Sequence, residues 1–319
     1  MDAVKLKSHK LRNLLHTFIF IAAMSMLMAL CAALLFGEGV WVGVLAGSAL
    51  AFIFLPDVSP QWVLGIYQAQ RVHPAQSPQL YHITNILGQR AGLERTPALY
   101  WVPSHTLNAF AVGSKANAAI AITDGLLRKL TQAELASVLA HEISHVSNND
   151  LKLMNLADVL SRMTHLMSLF GMLLVLLSIP LILLGMASLS WLGLLILILA
   201  PTLSALLQFA LSRVREFGAD LEAVRLTGDP AALASALYKI EQQETGIWKR
   251  LLFPSYKQTD PSLFRSHPDT KERIKRLLGL QARYQKIPQP SPWKSSALSF
   301  PHSQIIHDPR HRFLMGIWR

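Results

Sequence analysis

Five consecutive residues, His141-Glu142-Ile143-Ser144-His145, form an H-E-x-x-H motif near the middle of the chain. On a helix, histidines at positions i and i+4 lie on one face, close enough for both imidazoles to bind one zinc ion. The glutamate after the first histidine reaches a water molecule at such a zinc without itself becoming a ligand. Zinc lowers the pKa of that water toward ~7, and Glu142 is then the base that removes its proton. The motif predicts zinc-dependent hydrolysis, with chance occurrence as the alternative.

The residues before this motif predict the helix that its chemistry requires. Thr131-Gln132-Ala133-Glu134 has the pattern of a capping box, with Thr131 as N-cap and Glu134 at the third helical position. Apolar residues then recur at helical spacing, namely Leu135, Val138, Leu139, Ile143 and Val146. Asn148-Asn149-Asp150 predicts a break or bend after them. We therefore expect both histidines on one helix that begins near Thr131.

The chain is too apolar for an ordinary soluble domain, since 51% of its 319 residues are hydrophobic and only 15% are charged. The excess lies in two pairs of apolar stretches, Leu14 to Phe36 with Val40 to Leu55, and Leu166 to Ala187 with Trp191 to Leu211. About 20 apolar residues span a bilayer as a helix, so three stretches are long enough and the second is marginal. We expect two transmembrane hairpins, about four spans. A buried core hairpin is the alternative for the second pair.

Basic residues flank the outer ends of both apolar pairs, and the short turns inside the pairs carry none. They are Lys5, Lys7, Lys10 and Arg12 before the first pair, Lys152 and Arg162 before the second, and Arg213 and Arg215 after it. The positive-inside rule then predicts that both termini and the polar parts are cytoplasmic. It also explains much of the net charge of +11. We therefore expect a lipid bilayer and no nucleic acid among the partners, because no basic stripe is interleaved with aromatic residues.

The polar parts predict a mainly helical α+β fold. A helix from Ser77 to about Gly92 and a strand over Ala98 to Val102 precede a predicted hairpin, in which Asn108 to Val112 and Ala118 to Ile122 flank a loop over 113–117. Helices follow over Leu221 to Glu244, broken at Gly228-Asp229-Pro230, and over about Asp269 to Leu280. The fold class is thus an integral membrane protein with a cytoplasmic zincin-like catalytic domain and a small β-sheet.

We divide the chain into five parts on these patterns. They are a cytoplasmic basic segment with the first transmembrane hairpin (1–56), a catalytic part with the H-E-x-x-H helix (57–165), the second transmembrane hairpin (166–211), a catalytic part with the third ligand (212–280) and a tail (281–319). The tail is rich in Pro and Ser and has no apolar periodicity, so we expect it to be flexible.

A catalytic zinc site normally has three protein ligands, so the two histidines need a partner. Glu216 is the best candidate, with Asp220 on the same helical face four residues later. Asp220 can hold a ligating imidazole through its other nitrogen, as the outer partners of metal-bound histidines do. Glu222 is the next candidate ligand. A solvated carboxylate pair beside the membrane is the alternative, and the upstream histidine motif weighs against it.

The sequence at this point resembles the HtpX-like membrane metallopeptidases, relatives of the prenyl-protein (CAAX) endopeptidases. The resemblance covers about Leu11 to Leu280. Its carriers are Asn108-Ala109-Phe110-Ala111, the histidine motif with Asn149-Asp150, the segment Arg213 to Asp220, and Ser266-His267-Pro268. Their order, with two predicted spans between the histidines and the glutamate, is highly specific.

The resemblance implies a zinc endopeptidase with one Zn²⁺ per chain, in a bacterial-type inner membrane, multi-pass, with its active site in the cytoplasm. Its substrates would be polypeptides, above all misfolded or damaged membrane proteins. The residues Asn108, Ala109, Phe110 and Ala111 would form an edge strand that pairs with an extended substrate. His267 or Arg213 would stabilise the oxyanion, and the sequence does not separate these two.

Two other functions are compatible with parts of the pattern. A membrane scaffold or transporter could carry an inert histidine motif, although transporters usually have polar residues within their spans. The apolar stretches contain scattered Ser and Thr with His16 and Gln208, and His165 lies just before the third stretch, so their low polarity favours anchoring. A prenyl-protein-type endopeptidase is the other alternative, and the short four-span layout disfavours it by analogy.

Overall fold

The computed structural model of the protein describes residues 3–54, 59–186, 188, 190–251 and 270–284. In chain order its elements are α1 (Ala3–Phe36), α2 (Val40–Phe54), α3 (Pro60–Ile66), β1 (Gln70–Arg71), α4 (Pro78–Arg90), β2 (Ala98–Val102), β3 (Ala109–Val112), β4 (Ala119–Thr123), α5 (Asp124–Lys129), α6 (Gln132–Ser147), α7 (Asp150–Leu183), α8 (Trp191–Thr227), α9 (Pro230–Leu251) and α10 (Thr270–Tyr284). The predicted fold class, mainly helical with a small sheet, is confirmed.

Within the part of the chain that the structure describes, three helices, α1, α7 and α8, are long and apolar enough to cross a membrane. Helix α2 has 15 residues, which is ~22 Å of helix against a hydrocarbon core of ~30 Å. The helices pack on one another through buried residues such as Met24, Leu160 and Leu211. Large apolar side chains point outward, with Leu177 65% and Phe209 65% exposed. Exposing so large an apolar surface to water is unfavourable. Lipid is therefore the environment that matches the outer surface of these helices.

Helices α7 and α8 extend well beyond their apolar parts. The sequence predicted separate spans over Leu166 to Ala187 and Trp191 to Leu211, but α7 already begins at Asp150 and α8 continues to Thr227. The composition becomes polar at these points without a proline, so the backbone hydrogen bonds continue. Helix α7 begins after Asn149 (φ 57°) and α8 ends before Gly228 (φ 76°), and both of these residues adopt the left-handed conformation.

The four strands form one mixed sheet in the order β1-β2-β4-β3. The predicted hairpin is confirmed, because β3 and β4 pair antiparallel with Phe110 opposite Ala121. Its loop turns at Gly113, where φ is 90° and a Cβ atom would lie 2.2 Å from the Asn117 carbonyl oxygen. The sequence did not predict the parallel pairing of β2 with β4 or the short strand β1. Strand β3 is therefore at one edge of the sheet.

Helix α6 covers one face of this sheet. The predicted capping box is confirmed, with the Thr131 side chain accepting from the Glu134 amide and the Glu134 carboxylate accepting from the Thr131 amide. Buried side chains of α6 and of the sheet share one core, for example Leu139 and Ile143 with Ile120. The opposite face of the sheet packs on α3 through Val63, Leu64, Phe110 and Val112. The strand β3 is thus held from both sides, close to the histidine motif.

Candidate metal centre

Two helices bring three candidate metal ligands together. His141 and His145 lie on α6, and Glu216 lies on α8. Their ligand atoms are all within 4.8 Å of one another. The Nε2 atoms of the two histidines are 3.2 Å apart. The Glu216 carboxylate oxygens lie 3.4 Å from Nε2 of His141 and 3.7 Å from Nε2 of His145.

These distances match the separations between ligand atoms around a tetrahedral metal ion. Two ligands that each lie 2.0–2.1 Å from a tetrahedral zinc are about 3.4 Å from one another. Both histidine Nδ1 atoms face carboxylates, so Nε2 is the nitrogen that each ring turns toward its neighbour. Two nitrogen lone pairs and a carboxylate would repel one another at this spacing unless a cation or a proton lies between them. The residues present therefore fit a metal ion, and zinc suits two imidazoles with one carboxylate.

The membrane hairpin explains how residues about 70 positions apart can share one site. Helix α7 leads away from α6. Helix α8 then runs back antiparallel to α7 and packs against α6. Glu216 is on the polar end of α8, five residues after Leu211. The side chains of His141 and Glu216 are 5% and 6% exposed. The site is consequently a shielded one in which electrostatic interactions are strong.

A carboxylate on α7 holds the second histidine. The Nδ1 atom of His145 lies 2.8 Å from Oδ2 of Asp150. The other oxygen of Asp150 accepts a hydrogen bond from the buried Arg215 guanidinium, which also lies 3.5 Å from the hydroxyl of Thr17 on α1. A continuous polar connection thus runs from the site to the first membrane helix. Such partners fix the tautomer and orientation of a ligating histidine.

A second carboxylate and a buried arginine hold the first histidine. The Nδ1 atom of His141 lies 3.1 Å from Oδ1 of Asp220, the position that the sequence had assigned to an outer partner. Arg273 of α10 donates to both Asp220 oxygens at 2.6 and 2.8 Å. It also lies 2.9 Å from Glu216 Oε2. Arg273 is 1% exposed. Its positive charge neutralises the two buried carboxylates of Glu216 and Asp220, which would otherwise repel each other.

The titration of His141 reflects these carboxylates. Burial lowers its pKa, but hydrogen bonds to Asp220 and Glu216 and the negative charge of Glu216 outweigh burial, and its pKa rises from 6.5 to about 10. For His145, burial also lowers the pKa, and the hydrogen bond to Asp150 raises it above the usual value. Without a metal, the site thus attracts protons strongly. A bound metal cation balances the negative charge of the same carboxylates.

Glu142 points toward the edge of the sheet. Its Oε2 accepts a hydrogen bond of 3.0 Å from the backbone N–H of Ala111. This amide therefore points away from β4, to which the neighbours Phe110 and Val112 are paired. The outer edge of β3 and the candidate base are thus adjacent. Of the predicted substrate strand, Ala109, Phe110 and Ala111 lie in β3, while Asn108 precedes it.

Other predicted site residues are placed elsewhere or not described. Arg213 pairs with Glu272 of α10, and its guanidinium lies 5.8 Å from the ring centroid of Phe217. Its predicted role in stabilising the oxyanion remains a prediction. Glu222, the alternative ligand, pairs with Arg225 at 2.6 Å. His267 and the tail after 284 are outside the described residues.

Three residues of the site carried no functional assignment in the sequence. Asp150 was interpreted as part of a helix break and of the family resemblance, and Arg215 as a membrane-flanking charge within a segment that carries the resemblance. Arg273 lies among Lys271, Lys275 and Arg276 on an amphipathic helix, so no local signal distinguishes it. Asp150 could have been found, because it follows a candidate ligand by five residues and ends a predicted helix break. Arg273 required the tertiary structure.

Comparison with known proteins identifies a family and relatives of this chain. The model of peptidase family M48 matches residues 74–281. A protease HtpX homolog of Acaryochloris marina is 38% identical over 281 residues, covering 80% of this chain and 90% of that protein. One from Pyrococcus abyssi is 35% identical over 278 residues, covering 79% and 92%. The crystal structure of S. mikatae Ste24p aligns with a TM-score of 0.43 and 20% identity, covering 86% of this chain and 66% of that one, slightly under two thirds.

Proposed function

This chain belongs to peptidase family M48, and from that premise we propose that it is a zinc-dependent endopeptidase whose metal is held by His141, His145 and Glu216. Family membership and three long apolar helices make it a membrane metallopeptidase. The observation that supports zinc is the convergence of the three ligand atoms within 4.8 Å. Asp150 and Asp220 orient the two imidazoles, and Arg273 orients Glu216.

The chemistry divides between the metal and the protein. Zinc, when bound, polarises a carbonyl group and lowers the pKa of water. Glu142 accepts the proton of the attacking water and passes it to the amine that leaves, so one carboxylate serves both proton transfers. Its hydrogen bond to the Ala111 amide keeps it beside the strand edge. His267 and Arg213 stay candidates for stabilising the oxyanion.

The substrate in this proposal is an extended polypeptide that adds a strand to β3. An edge strand offers outward N–H and C=O groups that recognise any backbone, so affinity arises from main-chain hydrogen bonds. The site lies at the polar ends of the membrane helices, close to where a segment of a membrane protein leaves the bilayer. We propose that misfolded or damaged proteins of the inner (plasma) membrane are cleaved there, on the cytoplasmic side, as protein quality control.

The test is metal analysis of the detergent-purified full chain beside cleavage of casein. Glu142→Gln keeps the shape of the side chain but cannot accept a proton, so we expect zinc to be retained and cleavage to be lost. Glu94→Gln, on an exposed residue, is the matched control and should behave as the parent. Cleavage by Glu142→Gln at the parental rate would disprove the mechanism. Absence of both zinc and cleavage in the parent would favour a scaffold or transporter.

A further inference from the structure

A cavity of about 290 Å³ opens beside His145, on the side of the site toward the end of β3. One wall is the loop over 113–116 that follows β3, and the other is the turn at Asn149 with the first residues of α7. The volume lies just below the ~300–1,000 Å³ typical of pockets for whole small molecules. It is large enough for one side chain of a bound polypeptide.

The charges around this cavity have one sign. Lys115 on the loop and Lys152 on α7 line opposite walls, and none of the described lining residues is Asp or Glu. Asp150 is adjacent in sequence, but it is 1% exposed and its oxygens contact His145 and Arg215. Its negative charge is thus directed into the protein. The ammonium of Lys152 donates a hydrogen bond of 3.2 Å to the Ile53 carbonyl at the end of α2, so this contact does not neutralise its charge.

The position of the cavity relative to β3 defines which substrate residues reach it. Antiparallel pairing is the commoner arrangement in sheets, and a substrate antiparallel to β3 would start at the Gly113 end and run toward Ala109. The Ala111 amide marks the level of Glu142 and hence of the reacting bond. Residues on the N-terminal side of that bond would therefore pass the loop over 113–116 and the two lysines.

On the premise of the proposed peptidase function, we propose that this cavity is a cationic subsite, in which Lys115 and Lys152 select acidic side chains on the N-terminal side of the cleaved bond. The same charges repel Lys and Arg at that position. The cytoplasmic flanks of correctly inserted membrane proteins are rich in Lys and Arg. A subsite that repels them beside the membrane surface discriminates against such flanks, while polypeptide regions exposed by damage are not so restricted.

The experiment uses the zinc-loaded full chain, in detergent and in vesicles with and without phosphatidylglycerol, and three series of otherwise identical peptides. One residue at a time, on either side of the cleaved bond, is Glu, Gln or Lys, and kcat/KM is measured for each. At one position on the N-terminal side, we expect kcat/KM for the Glu peptide to exceed that for the Lys peptide by about 5- to 10-fold. Partly exposed ion pairs produce effects of this size. The double variant Lys115→Glu/Lys152→Glu should reverse that ratio. Lys129→Glu, on the exposed end of α5, is the matched control and should keep it.

Three outcomes would overturn the subsite. They are equal rates for Glu and Lys peptides at every position, a charge ratio that the double variant leaves unchanged, and a double variant whose activity changes only in vesicles that contain phosphatidylglycerol. The last outcome would assign the lysines to an anionic lipid. Zinc content, measured for each variant, confirms that the site is assembled. Failure of the parent to cleave any peptide when loaded with zinc would instead reject the proposed function.

Discussion

The Nδ1 atom of His145 lies 2.8 Å from Oδ2 of Asp150, across the break between α6 and α7. The left-handed conformation of Asn149 makes this contact possible, because it turns the start of α7 back toward α6. A candidate metal ligand is thus oriented by the first residue of a membrane helix. Through Arg215 the same carboxylate is connected to Thr17 of α1.

Replacement of Asp150 by Asn should weaken metal binding by about 10- to 100-fold, the usual effect of losing such a partner. The amide keeps the volume of the side chain but lacks the negative charge that orients and polarises His145. Zinc affinity is measured by competition with a chelator. Asp158→Asn is the control, since Asp158 lies on the same helix in an exposed pair with Arg162. Equal affinities for the two variants would contradict this role.

Replacement of Arg273 by Leu should destabilise the metal-free protein more than the zinc-bound protein. Two buried carboxylates, Glu216 and Asp220, lose their cation, and breaking such a buried pair costs ~3–5 kcal/mol. Zinc restores part of the missing positive charge. Thermal unfolding in detergent with and without zinc tests this, with Arg276→Leu on the exposed side of α10 as control. Identical shifts in both metal states would show that Arg273 serves the fold alone.

Metal binding should strengthen as pH rises. His141 has a pKa of about 10 in the metal-free protein, so near neutral pH a metal must displace its proton. We expect the zinc Kd to fall by about tenfold per pH unit between about pH 7 and pH 9. The stability of the metal-free protein should change in the opposite direction. Stabilisation by protonated His141 is complete below a pH of about 6.5 and is lost as the pH rises through about 10.

These two pH dependences are measured by chelator competition and by thermal unfolding of the metal-free protein. Asp220→Asn removes one of the carboxylates that raise the pKa of His141, so it should flatten both curves between pH 7 and 9. A zinc Kd that is independent of pH over this range would contradict the assignment of His141 as a ligand.

Replacement of Ala111 by Pro should lower cleavage while zinc is retained. The Ala111 amide points away from β4, so proline removes no hydrogen bond of the sheet. It removes the donor that holds Glu142 beside the outer edge of β3. We expect kcat/KM for peptides to fall at least about tenfold. Ala111→Gly keeps the N–H and is the control; a similar loss in both variants would argue against this role of the amide.

The orientation in the membrane is tested by single cysteines in a Cys31→Ser background. The two positions are Lys115, on the exposed loop after β3, and Met186, which is 75% exposed in the turn between α7 and α8. We expect Lys115→Cys to react only from the cytoplasm and Met186→Cys only from the opposite face. Reaction of both from one face would exclude a membrane-spanning hairpin.

The sequence by itself determined the features that depend on neighbouring residues. The capping box at Thr131 and the apolar spacing after it specify α6, and the i, i+4 spacing places His141 and His145 on one side of it. Hydrophobic length alone revealed the membrane helices and the marginal length of α2. Glu216 and Asp220 were identified as a same-face pair for the same reason. Local hydrogen bonding and hydrophobic burial act within one or two helical turns, so a linear pattern records them.

The tertiary structure decided which distant groups share the site. Arg215 and Arg273 are ordinary charges in the sequence, and only the packing of α8 on α6 and of α10 on α8 brings them to the site. The edge position of β3 likewise follows from the strand order, which places β4 between β2 and β3. Contacts between residues tens of positions apart depend on the packing of whole elements. No local periodicity encodes that packing, because each element buries its apolar face without specifying which charged residue will lie beside it.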